Sequence, residues 1–160
     1  MENGMSQLPP ETQQGYDAPM VRQFSIFLEN RVGRLLDILR MFDEAEGITI
    51  HGLAVMESSD CAVVRLIPDD PDATRVMLRS SEYAFAETEL LVVRCTEERP
   101  LSMLCLYLLG AELNIDFMYP MLTATYAGEG GRIALSVDDT TFAGQILRRK
   151  GFSLYGFRDL

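Results

Sequence analysis

From Val21 onward the apolar residues follow two rhythms, and the switches between them predict the elements of the fold. Phe24, Ile26 and Leu28 alternate with Gln23, Ser25 and Phe27, the two-residue period of a largely buried strand. The period then lengthens. Leu35, Ile38, Leu39 and Phe42 recur at three- and four-residue steps, which lines one face of a helix, and Gly47 follows as a C-terminal stop. "ITIHGLAVM" and "CAVVRLI" read as strands joined by the polar turn Glu57 to Asp60, hence a hairpin. "PDDPDATRVMLRS" opens with the Asp and Pro of a helix start and carries Ala73, Val76 and Met77 inside it, and "YAFAE" supplies a fourth strand.

The same order then recurs. "LLVVRC" is a strand, "PLSMLCLYLLGAE" a helix with Pro100 in its first turn, "LNIDFMYPML" and "GRIALSV" a hairpin, "DDTTFAGQILRRK" a helix, and "FSLYGF" the last strand. Asp69-Asp70 matches Asp138-Asp139 at an offset of 69, Val32 matches Pro100 at 68, and "GITI" matches "ELNI" at 65. The second copy therefore has a shorter first helix and a longer hairpin loop, both where length changes are tolerated. The expected fold class is α+β: two ferredoxin-like βαββαβ units over 21–88 and 89–160, each a four-stranded antiparallel sheet with two helices on one face. Residues 1–20, rich in Gln, Pro, Gly and Glu and without apolar period, are expected to form a flexible arm, since they cannot bury enough surface to offset the entropy of ordering.

Composition narrows the function. The chain of 160 residues is 48% apolar, ample for packed cores, and its net charge of -10 has the wrong sign for a protein that neutralises phosphates, so no nucleic-acid partner is expected. The one basic run, Arg148 to Lys150, suits a helix C-terminus. The longest apolar stretch, Leu101 to Leu109, is far short of the roughly 20 residues that span a bilayer, and no signal segment opens the chain, so a cytoplasmic location and no membrane partner are expected.

Catalytic chemistry finds little footing. Cys61, Cys95 and Cys105 are an odd number without C-x-x-C spacing and read as reduced core residues, and His51 is the sole histidine, so no metal, cofactor or Cys-His catalytic set is expected. Asp69-Asp70 and Asp138-Asp139 stand before helices, where capping and the helix dipole account for them. "AGEGGR", Ala127 to Arg132, lies between two strands rather than before a helix and reads as a flexible loop rather than a phosphate cradle.

"LENRVGRL" at the first strand-to-helix turn, "EGITI" entering the second strand and "ELNIDFMY" in the second copy resemble the ACT domain family in its tandem form, over about 140 residues. The resemblance implies a non-catalytic regulatory protein whose units pair side by side and bind a small effector, usually an amino acid, at the interface between two units. Physical chemistry makes that place sensible: a helix N-terminus offers unpaired N–H groups and partial positive charge to a carboxylate, and Gly33 lets a ligand approach the backbone. Asn30 either meets such a ligand or only caps the helix.

In the family pattern, a polar Asn in the first loop works with an Asn at the entry of the second strand of the partner unit. The copies here are unequal, with Asn30 and Gly33 but Thr49 in the first, and Glu98 and Leu101 but Asn114 in the second. If the two units pair with pseudo-twofold symmetry, one interface site combines Asn30, Arg31, Val32 and Gly33 with Asn114, and the other combines Glu98 and Leu101 with Thr49, so one competent and one degenerate site are expected. Asp116 and Tyr119 lie near Asn114 on the same strand, and His51 lies within reach of the degenerate site. Asp116 also reads as a solvated strand residue, Tyr119 as sheet packing, and His51 as a packing or surface residue.

The helix "LSMLCLYLLGAEL" is apolar nearly all round, so either an intramolecular helix pair, a homodimer or a catalytic protein covers it. Three functions follow: a free-standing amino-acid sensor; the regulatory small subunit of an amino-acid biosynthetic enzyme such as acetolactate synthase, whose first segment "FLENRVGRL" also resembles; and a small enzyme on this scaffold, which would need turnover dependent on His51 or a cysteine.

Overall fold

The computed structural model describes residues 19–29, 31–57, 60–122 and 130–160. The elements run β1 (Val21–Glu29), α1 (Arg34–Glu44), β2 (Ile50–Glu57), β3 (Cys61–Pro68), α2 (Pro71–Ser80), β4 (Ala84–Cys95), α3 (Leu101–Gly110), β5 (Ile115–Pro120), β6 (Gly131–Val137), α4 (Thr140–Arg149) and β7 (Leu154–Tyr155), with a 3-10 turn at Phe157–Asp159. The fold is α+β, four helices on a curled antiparallel sheet, consistent with tandem ferredoxin-like units.

The strands expected at "YAFAE" and "LLVVRC" are a single strand. Residues 84–90 of β4 pair with β1, and residues 91–95 pair with β6 and β7, so one 12-residue strand serves both halves. Two things explain the join: no Gly, Pro or Asn interrupts "AETELLVV", and Leu90 to Val93 are buried on both faces, the continuous apolar run of a strand covered on two sides.

Alternation along β4 sorts its residues between cores. Leu91 and Val93 join Leu104, Leu108, Leu135 and Leu147 beneath α3 and α4, while Phe24, Ile26, Ile38, Leu66 and Leu78 fill the equivalent core beneath α1 and α2. Leu90 and Val92 face the other way, into a third core with Val21, Ile67, Tyr119, Met121 and Ala134. That core lies on the helix-free faces of both halves, so the sheet folds back on itself with the helices outside. Its edges meet where Met121 pairs with Gly52 and the Leu122 N–H donates to the His51 carbonyl at 2.8 Å.

The helix ends repeat with the copies. Asp70 caps α2 by accepting from the Ala73 N–H at 2.9 Å, and Asp139 caps α4 by accepting from the Phe142 N–H at 2.9 Å. Their neighbours brace the strands: Asp69 accepts from the Thr49 N–H at 2.8 Å and Asp138 from the Asn114 N–H at 3.1 Å. These four bonds reproduce the offsets of 69 and 65 read in the sequence.

Details differ from expectation in four places. The N-caps Gly33 and Pro100 set Gly33, not Val32, opposite Pro100, and Pro100 precedes α3 rather than sitting in its first turn. In α2 the buried residues are Thr74 and Leu78, with Met77 packed partly buried against the same core, and Val76 faces outward. The last strand is only two residues long, since Gly156 leads into a 3-10 turn. Gly130, in the loop expected to be flexible, has φ 72°, and a Cβ there would lie 2.0 Å from the Cys95 carbonyl oxygen, so its backbone is pressed against β4.

α3 packs on α4, and its Tyr107 lies edge-on to Phe152, just beyond the end of α4, at 6.3 Å. It still leaves Leu106 62% and Leu109 73% exposed, so within the chain α4 covers only part of its apolar circumference.

Candidate functional site

The four helix N-termini fall into two kinds. Aspartate side chains close α2 and α4, the second helix of each half, whereas α1 and α3 begin at Gly33 and Pro100 with no side-chain cap bond. Gly33 has φ 92°, a left-handed conformation that turns β1 into α1 and that a residue with a Cβ adopts only at a cost. Asn30 lies outside the described residues. Arg31 is exposed and pairs with Glu29 at 3.1 Å, and Val32 stands free of the fold.

Strand direction gathers the other members. β5 runs antiparallel to β2 at the Gly52–Met121 bridge, so the start of β5, with Asn114, lies at the end of the sheet where β2 turns into Cys61. Cys61 pairs with Glu29 at the close of β1. Arg31, Val32 and Gly33 are therefore at the same end of the closed sheet as Asn114 and Asp116. Thr49, His51 and Leu122 lie at the opposite end, as does the loop holding Glu98, which follows the Cys95–Gly131 pair and leads to Leu101 at the start of α3.

Within these groups the side-chain contacts among the described residues are local. Asn114 Nδ2 donates to Asp116 at 3.3 Å, and Ser136 Oγ donates to the other Asp116 oxygen at 3.4 Å. His51 Nε2 is 3.7 Å from Asp69 Oδ2, and Glu98 is 3.8 Å from Arg99. Tyr119 does not face the Asn114 end: it is buried in the third core, where its hydroxyl donates to the Gln23 Oε1 at 2.7 Å, and burial pushes its phenol well above the ordinary value. Among the described residues no group of three or more His, Cys, Asp or Glu could hold a metal ion, and no helix is long and apolar enough to cross a membrane.

Sequence reasoning passed over Gln23, Arg65 and Phe117. Arg65 places its guanidinium carbon 3.7 Å from the centre of the Phe117 ring, joining the two halves by a cation–π contact, and its Nε is buried without a hydrogen-bond partner among the described residues. An arginine within "CAVVRLI" and a glutamine at a buried strand position were the available signals.

The comparisons with known proteins bear on the family and the fold. The model of the ACT domain pair family matches residues 20–153, and the chain belongs to that family. Its structure is similar to a protein from Bacteroides thetaiotaomicron, with TM-score 0.79 and 24% identity over 89% of this chain and 96% of that one. It also resembles the ligand-free regulatory subunit of aspartate kinase from Thermus thermophilus, with TM-score 0.53 and 11% identity over 84% and 95%. Aspartokinase alpha and beta subunits give TM-score 0.53 and 14% identity over 83% and 93%. These likenesses are of fold. No curated protein matches the sequence. The chain thus has the ACT regulatory fold.

Proposed function

We propose that the protein is a non-catalytic regulator that binds a small effector, an amino acid, between its two ACT units at the end of the sheet where α1 begins. One observation carries this: the first helix of each half lacks the aspartate cap that closes the second, which leaves N-terminal N–H groups available to a carboxylate. Of the two open ends, the one at Gly33 has Asn30 in its loop and Asn114 at the same sheet end; the other has Glu98, whose charge repels a carboxylate, and Thr49. The competent site is Asn30, Arg31, Val32, Gly33 and Asn114, with Asp116 available to the ammonium group, and the Glu98, Leu101, Thr49 and His51 end is degenerate. The protein acts in the cytoplasm as a homodimer.

Thermal unfolding with each common amino acid in turn tests the reading. Ligand at a hundred times its dissociation constant stabilises by about 2.7 kcal/mol, a midpoint rise of several degrees. A related set of amino acids raises the midpoint, Asn30→Ala abolishes the response, and Glu98→Ala keeps it. Equal loss in both variants defeats the asymmetry, and no response to any amino acid defeats the sensor.

The exposed Leu106 and Leu109 of α3 favour a second reading, a regulatory subunit of an amino-acid biosynthetic enzyme such as acetolactate synthase, docked through that helix. Stable co-purification with a catalytic subunit that Leu106→Glu disrupts decides for it.

A further inference from the structure

We propose a second ligand site, separate from the helix-terminus site, in which Arg65 anchors the carboxylate of a small organic acid with an apolar body. Strand register builds it. Ala54, Arg65, Ser25 and Ala86 are direct cross-strand partners, one after the next across β2, β3, β1 and β4, so all four side chains stand on the helix-free face. The one long cation is flanked on its own row by three small residues, which leaves a trough across the sheet.

Phe117 of the second half walls the trough, with the Arg65 guanidinium carbon 3.7 Å from its ring centre. The next row toward the β1 end presents Phe27, 45% exposed, and Met56, 47% exposed, as an apolar rim, and Ala86 opens to solvent. Among the described residues Arg65 makes no ion pair, and its buried Nε has no acceptor.

A guanidinium has five donors in a planar fork, and a buried donor left unmade is costly; a carboxylate fits the fork with two parallel bonds. Stacking on Phe117 holds the fork in one plane, and the apolar rim takes the body of the acid. The proposal uses no residue of the helix-terminus site and does not depend on it.

The test is calorimetric titration of the full chain with phenylacetate and with its uncharged isostere phenylacetamide, repeated on Arg65→Met, Ala86→Phe and Asn30→Ala. Phenylacetate binds saturably, and the amide binds at least roughly tenfold more weakly because it cannot complete the charge-assisted pair. Arg65→Met folds at least as stably as the parent, since it removes an unmet buried donor, and loses phenylacetate binding; Ala86→Phe fills the trough without touching Arg65 and loses it too; Asn30→Ala binds as the parent does. Absence of saturable phenylacetate binding, equal binding of the amide, unchanged binding by both trough variants, or loss in Asn30→Ala alone overturns the site.

Discussion

Thr49 and Asn114 occupy the same place in the two copies, each N–H held by an aspartate, Asp69 or Asp138, that stands before the capping aspartate of the following helix. The bonds that build a unit were kept in duplicate, and the side chains free of that duty diverged. α1 carries charge on its outer face where α3 has none; Arg75 and Glu87 pair across the first copy where the offset of 69 finds Gly144 and Gly156 in the second; Tyr119 stands where the offset of 65 finds Ala54. Tyr119 spans the third core to Gln23, so one divergence ties the copies together. The lesson is that the halves are alike in what they need to fold and unlike in what they present to each other and to ligands.

The shared β4 and third core predict that the halves unfold as one. Leu66→Ala in the first core and Leu135→Ala in the second, both fully buried, each cost about 2–5 kcal/mol and each lower a single unfolding midpoint read by circular dichroism. Two separate transitions, with each variant moving only one, would show the halves to be independent.

Tyr119→Phe is the next largest effect. It leaves the buried Gln23 Oε1 without its donor and costs about 1–3 kcal/mol in chemical denaturation, whereas a loss near zero would mean water replaces the hydroxyl. A smaller effect of opposite sign comes from the helix C-termini. Glu112, φ 58°, follows α3 in the left-handed position that Gly47 fills after α1, so Glu112→Gly stabilises by about 0.5–1 kcal/mol and Gly47→Ala destabilises by a similar amount. No gain from Glu112→Gly and no loss from Gly47→Ala would place the strain elsewhere.

The smallest effect is confined to acid. The Arg75 guanidinium, bonded to both Glu87 oxygens, holds that carboxyl below its ordinary value of 4.5. A group whose folded value is lowered contributes stability above its unfolded value and loses it as pH falls through the folded one. The parent therefore loses more stability than Glu87→Gln does on acidification below about pH 4.5, measured as unfolding midpoint against pH. Parallel curves would break the link between this pair and the first copy's acid sensitivity.

Much of this was legible beforehand where the signal is local. The caps Asp70 and Asp139, the helix face of Ile38 and Phe42, and the left-handed stop at Gly47 need only neighbours within a turn or two. The join at "ETELLVV" was harder, because an apolar run bounded by nothing looks the same as two strands end to end. Tyr119 was harder still: alternation assigns it to a face of β5, but its partner Gln23 is 96 residues away.

What the sequence by itself determined is therefore the order of elements, the repeat, and which residues of each strand share a face, because each follows from backbone period and from side chains near in the chain. Only the tertiary structure decided what lies over those faces. The curl that closes Gly52 on Met121 turns two helix-free surfaces into a shared core, and sets Phe117 against Arg65. Burial of apolar area has no direction along the chain, so it selects the partner face only once all the strands are in place.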